Sequence, residues 1–95
     1  MLRTQDVHTV DDTIGGLSAR TVYFEICNNG ASLEDPNSSP FTLRCIDVAN
    51  PANCTQVNGP YKSVGGAQGA AQSLVNQNRI NPPTLAWQGQ IAQCR

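Results

Sequence analysis

Any nucleophile, base or metal site in this 95-residue chain would draw mainly on four cysteines, one histidine and seven carboxylates. Cys45 and Cys54 close a ten-residue segment that leaves a strand-like run and turns at Asn50-Pro51. A thiol pair so placed is a staple, half of a metal site, or two unrelated buried thiols. Structural zinc typically draws on C-x₂₋₄-C pairs, and the chain has none. Four cysteines permit three pairings. The short separation favours Cys45–Cys54, which leaves Cys27 for Cys94. On the chain-entropy model the two loops contribute about 2.7 and about 4.4 kcal/mol. Two disulfides are therefore expected, with no metal and no cofactor.

His8 is the sole histidine and stands near Asp6, Asp11 and Asp12. Imidazole with carboxylates is a cation-binding set, but functional oxygen-ligand loops keep a defined spacing, so a solvated acidic turn is expected. His8 is also the one ordinary base for a nucleophile–base pair. Gly16-Leu17-Ser18-Ala19-Arg20 starts like a nucleophile elbow and lacks the closing glycine. Glu25 and Asp47 fall on separate strand candidates and would suit paired-carboxylate chemistry only if they faced each other. Gly65-Gly66-Ala67-Gln68-Gly69 resembles a phosphate-cradling turn, yet it matches neither the dinucleotide fingerprint nor a P-loop. No catalytic set emerges, and the chain is not expected to be an enzyme.

The elements that must position these residues follow from hydrophobic period. Arg20 to Cys27 alternates, with Val22, Phe24 and Ile26 on one face and Tyr23, Glu25 and Cys27 on the other. Asn28-Asn29-Gly30 ends this strand with residues that tolerate positive φ, and 31–40 is a surface loop with two prolines. Phe41 to Val48 is a second strand, and Cys54 to Val57 a short third. Asn58-Gly59-Pro60 then stops the pairing. Ala67, Ala70, Ala71, Leu74 and Val75 follow helical spacing within 63–79, and Asn81-Pro82-Pro83 is the expected stop. Thr84 to Gln93 alternates again, with Leu85, Trp87 and Ile91 on one face. Trp87 reads as core more than as an interface anchor.

Residues 1–19 show no clean period. Val7, Val10, Ile14 and Leu17 share a helical spacing that the threonines and Gly15-Gly16 oppose. They read as an extended N-terminal arm ahead of a domain over 20–95, with room for one helical turn. Such an arm is suited to reaching over a neighbouring subunit.

Composition limits the rest. Leu, Ile, Val and Phe make up only 20 of 95 residues, so one small domain with a thin core is expected, in need of cross-links or partners. Charge is sparse at 14%, with a net charge of −1, and polarity comes from nine Asn and eight Gln. The six basic residues are scattered, which argues against nucleic acid as a partner. No stretch reaches the roughly 18 apolar residues of a membrane span, so no membrane insertion is expected. No basic-then-apolar leader is visible; either export uses no cleaved leader, or the leader is already removed and Met1 is not native.

The expected fold is small and β-rich, all-β or α+β, with three to four antiparallel strands, one short helix, an extended N-terminal arm and disulfide staples. Its motifs point to no known family. The expected role is a non-enzymatic structural or interaction subunit of a larger assembly, of the virion-accessory or surface-appendage type, working on other protein subunits. Asn50, Pro51 and Tyr61 are its contact residues; Tyr61 joins apolar area to a polar tip. The alternative is a secreted, stapled binding module or inhibitor presenting loops 28–40 and 49–53. Virion or extracellular surface is the location that either role implies.

Overall fold

The alternating run that begins at Arg20 becomes the longest strand and the axis of the sheet. The structure, a computed structural model, describes residues 1–9, 20–52, 54–57, 59–77 and 80–94, with Cys54 and Thr55 described by backbone alone. In chain order the elements are β1 (Leu2–Thr4), β2 (Val7–Thr9), β3 (Thr21–Asn28), β4 (Phe41–Asp47), β5 (Cys54–Gln56), α1 (Val64–Gln77), β6 (Ile80–Asn81), β7 (Trp87–Gln88) and β8 (Ala92–Gln93). The path of the sheet is β5-β4-β3-β1-β7. One edge of β3 pairs with β4 from Val22↔Asp47 to Asn28↔Phe41. Three short segments tile the other edge: β2 at Thr21 and Val22, β1 at Glu25 and Ile26, and β8 at Cys27 and Asn28. All pairings are antiparallel except that of β8.

The domain is thus β-rich with one helix among the described residues, but the strand count exceeds the expected three to four. The extra strands are two or three residues long, too short for alternation to register as a pattern. Residues 2–9, expected as an arm outside the 20–95 domain, are extended but belong to this chain's own sheet. Val7 is fully buried, and its helical spacing to Val10, Ile14 and Leu17 does not make it helical; residues 10–19 lie outside the described set. Pairing with β3 outweighs helix formation because the threonines and Val7 fit a pleated, half-buried surface.

β1 and β2 are one strand interrupted by a bulge. Leu2 and Arg3 face Ile26 and Glu25, whereas Val7 and His8 face Val22 and Thr21. Three residues, Thr4 to Asp6, therefore oppose two, Tyr23 and Phe24. A bulge leaves ladder groups unpaired, and Thr4 repairs this one. Its buried Oγ1 accepts from the Phe24 amide at 3.0 Å and donates to the Gln5 carbonyl at 2.9 Å.

Helix α1 falls inside the expected 63–79 and ends at Gln77, ahead of the proline stop, with β6 intervening. Ser63 caps it, accepting from the Gly66 amide on Oγ at 2.9 Å. Ala67, Ala71 and Val75 are buried, and Ala70 and Leu74 pack partly behind them. They close the core over Val7, Val22, Phe24, Ile26, Leu43 and Cys45. Alanine on the contact face lets the helix approach the sheet closely, so few large side chains suffice.

The C-terminal stretch is tied down in two ways. Gln5 donates from Nε2 to the Thr84 carbonyl at 2.8 Å and accepts from the Ala86 amide at 2.9 Å. Gln72, on the helix, donates to the Pro83 carbonyl at 2.8 Å and accepts from the Leu85 amide at 3.3 Å. Each glutamine engages the backbone as a strand would, with one donor and one acceptor. Further on, Cys27 and Cys94 form a disulfide, which bears out that pairing.

Candidate functional site

Alternation along β3 and β4 places two sets of side chains on opposite faces of the sheet. The inner face meets α1. The outer face carries Tyr23, Glu25, Arg44 and Ile46, and among the described residues no helix covers it. The register aligns a row across five strands: Gln88 opposite Arg3, Arg3 opposite Glu25, Glu25 opposite Arg44, and Arg44 opposite Gln56. Opposite charges directly across strands attract, so the row alternates in sign at its centre and is polar at both ends. Arg3 is held further: its guanidinium lies 3.6 Å from the Tyr23 ring centroid, its Nε donates to the Thr4 carbonyl at 2.8 Å, and it pairs with Asp6.

Beside this row lies an open groove of about 380 Å³. Tyr23, Glu25, Arg44 and Ile46 make its floor. Its rim comes from Met1, from Pro51 in the β4–β5 turn, and from Ala92 and Gln93 of β8. Ile46 is only 5% exposed although it points away from the helix-side core. A floor that sets Glu25 and Arg44 beside Tyr23 and the nearly buried Ile46 can receive a side chain that is apolar with a polar end. Nothing in it resembles a nucleophile–base pair.

Of the residues expected to contact partners, Pro51 stands on the groove rim, and Asn50 is exposed beside it. Asp47 shapes this turn, accepting from the Ala49 amide on Oδ1 at 2.9 Å and from the Asn50 amide on its carbonyl at 3.2 Å. Tyr61 is elsewhere. It bridges Phe41 through backbone bonds of 2.8 and 3.2 Å, and it packs half-buried against the core. Its ring covers Gly59, where an added Cβ would come within 2.7 Å of it. Of the cysteines, Cys45 is buried in the core. The register sets Cys45 opposite Thr55 and Cys54 opposite Ile46. The expected Cys45–Cys54 bond depends on the Cys54 side chain, which lies outside the described residues.

Among the described residues the catalytic candidates are not brought together, and Ser18 lies outside that set. Glu25 lies in the outer-face row between two arginines, whereas Asp47 shares a register position with Val22 and pairs with Arg20 at 3.9 Å. His8 is exposed and shares a 2.9 Å hydrogen bond between Nδ1 and Thr21 Oγ1. Asp6 is taken up by Arg3, and Asp11 and Asp12 lie outside the described residues. Among the described residues no three His, Cys, Asp or Glu side chains form a metal-binding group. The glycines at 65, 66 and 69 belong to α1 itself, and nothing lies near the Cβ positions of Gly65 and Gly69. Among the described residues no helix is long and apolar enough to cross a membrane.

Loop 29–40 is the other exposed feature. Asn29 donates its amide to the Pro40 carbonyl at 2.8 Å, which closes the loop at its base. Asn28, Asn29 and Asp35 each accept on Oδ1 from an amide two residues on, at 2.8, 3.0 and 2.8 Å. These Asx turns shape the loop locally, and Leu33 is 66% exposed on it. Trp87, expected in the core, is half-buried at its margin, and Ile91 is exposed instead of sharing its face.

Sequence reading missed the groove because its walls come from four separate segments. It also missed Thr4, Gln5 and Gln72, whose positions carry no local signal of the bonds they make. No family model matches the chain, and no curated protein or solved structure matches it either.

Proposed function

We propose that this chain is a non-enzymatic structural or interaction subunit that works through protein–protein contacts on the outer face of its sheet. The observation that carries this reading is that face itself: an alternating charge row, two members of which floor an open groove with Tyr23 and Ile46, and no helix over it among the described residues. The exposed Asn50-Pro51 turn extends the surface. The Cys27–Cys94 bond favours an oxidising location, since cytosolic thiols are kept reduced. A virion surface or an extracellular appendage meets that condition.

Sedimentation at micromolar concentration tests the assembly. A mass above the 10.1 kDa of one chain is expected, and Arg44→Glu, which turns the row acidic at its centre, should lower it. A strict monomer, unchanged by that substitution, removes the self-assembling form of the proposal. The second reading, a secreted binding module, is favoured by one feature: Leu33 displayed on a loop pinned at its base. There Leu33→Asp would abolish partner binding and leave the melting temperature unchanged.

A further inference from the structure

The C-terminal segment Gly89 to Cys94 forms one wall of the groove while contributing no side chain to the core. Residues 89–93 are all exposed, Ile91 among them at 39%. Their pairing with β3 extends over two residues, Cys27↔Ala92 and Asn28↔Gln93, followed by a bond from the Cys94 amide to the Asn28 carbonyl at 2.8 Å. So short a ladder with exposed side chains has little cooperative protection of its own. The covalent link to Cys27, which is 1% exposed within the sheet, is the attachment that remains. The segment begins at a turn. Gly89 takes φ +89° and passes so close to the Met1 carbonyl that a Cβ there would lie 1.9 Å from the oxygen. Before this turn, β7 is paired with β1, and the Gln5 and Gln72 amides hold residues 83–86.

We infer that residues 89–94 are a redox-released strap, which opens the groove when the Cys27–Cys94 bond is reduced while the helix and the remaining strands stay folded. The inference does not depend on what occupies the groove. The co-reactant is an external dithiol. Its thiolate attacks the half-buried Cys94 sulfur, the S–S bond breaks, and Cys27 leaves as the thiolate. The second thiol of the reagent then displaces Cys94 from the mixed disulfide. The protein gains two electrons and two protons as a pair of thiols, and the reagent becomes a cyclic disulfide. Release removes Ala92 and Gln93 from the rim and uncovers the β3 edge at Cys27 and Asn28. The groove floor around Ile46 then becomes more open to a partner.

Amide hydrogen exchange on the full chain tests this in three states: oxidised, reduced by a dithiol, and the Cys27→Ser/Cys94→Ser variant without reductant. The variant separates the strap bond from any effect of reductant elsewhere. The expected result is that the amides of Ala92 to Cys94 exchange at least about tenfold faster in the reduced and variant proteins. Those of Tyr23 to Ile26 and of α1 should stay protected. Unchanged protection of 92–94 would overturn the proposal, since the short ladder would then suffice. Simultaneous loss of protection throughout would also overturn it, because the bond would then hold the whole fold and not a strap.

Discussion

The two halves of the C-terminal stretch are held by different chemistry. Residues 83–88 are gripped by two glutamine amides and by β-pairing with β1, and Trp87 packs at the margin of the core. Residues 89–93 are exposed, and beyond a two-residue ladder and one amide bond to Asn28 the segment is held by a single covalent link. The first half depends on groups that must already be in place on β1 and α1, so it is secured only when the rest of the sheet has formed. The second depends on the redox state of its surroundings. A thin core can thus be extended either by amides that imitate strand pairing or by a cross-link, and only the cross-link can be switched from outside.

Substitutions on either side of Gly89 can break or sharpen that contrast. The largest effect is expected from Cys27→Ser/Cys94→Ser. The chain-entropy model sets the loss at up to about 4 kcal/mol for a strap that stays seated without its bond. A released strap regains disorder in the native state, so the measured loss in urea unfolding should fall short of that figure. A full loss would place the strap with the clamped half. Next is Gly89→Ala, which meets both a left-handed φ and the Met1 carbonyl. It should cost about 1–3 kcal/mol in the oxidised protein. In the serine double variant the cost should shrink, because a free strap need not make the turn; a double-mutant cycle reads the difference.

Gln5→Ala and Gln72→Ala should each cost about 1 kcal/mol, since the first removes two and the second three largely exposed hydrogen bonds, one of the latter to Asn76. Their effects should not add, because both residues hold the same short segment, and the Cys94 amide should keep its protection in the oxidised protein. The smallest effect is expected at Gly69→Ala, which contacts neither half. Gly69 is exposed within α1 and has open space at its Cβ position. A gain of about 0.5–1 kcal/mol is expected from helix propensity alone, read as a raised melting temperature. A loss there would mean that this helix face has another task.

The elements legible in the sequence are those long enough to show a period. β3 alternates over most of its eight residues, β4 does so from Phe41 to Cys45, and α1 keeps its apolar spacing from Ala67 to Val75. The Cys27–Cys94 bond was reachable from spacing alone, once Cys45 and Cys54 were set together. The pairing of residues 2–9 is not legible in the sequence because a bulge shifts their register halfway, so neither period survives across them. Trp87 and Ile91, which share an alternation in the sequence, were separated by the turn at Gly89. The candidate site was legible only in part: Pro51 was named, whereas Tyr61 proved to be packed against Phe41 and its own loop.

What the sequence by itself determined is the material: a sparse apolar set in two strands and one helix, and an amide-rich surface. Local period and residue type suffice for that, because each acts over a few neighbours. Only the tertiary structure decided that β2, β1 and β8 share one edge of β3, and that Gln5 and Gln72 reach the same segment. It also decided that the groove is walled by both chain ends. Those outcomes join residues as far apart as Gln5 and Ala86, and such pairings are fixed by the order of strands in the sheet, which no local window of sequence contains.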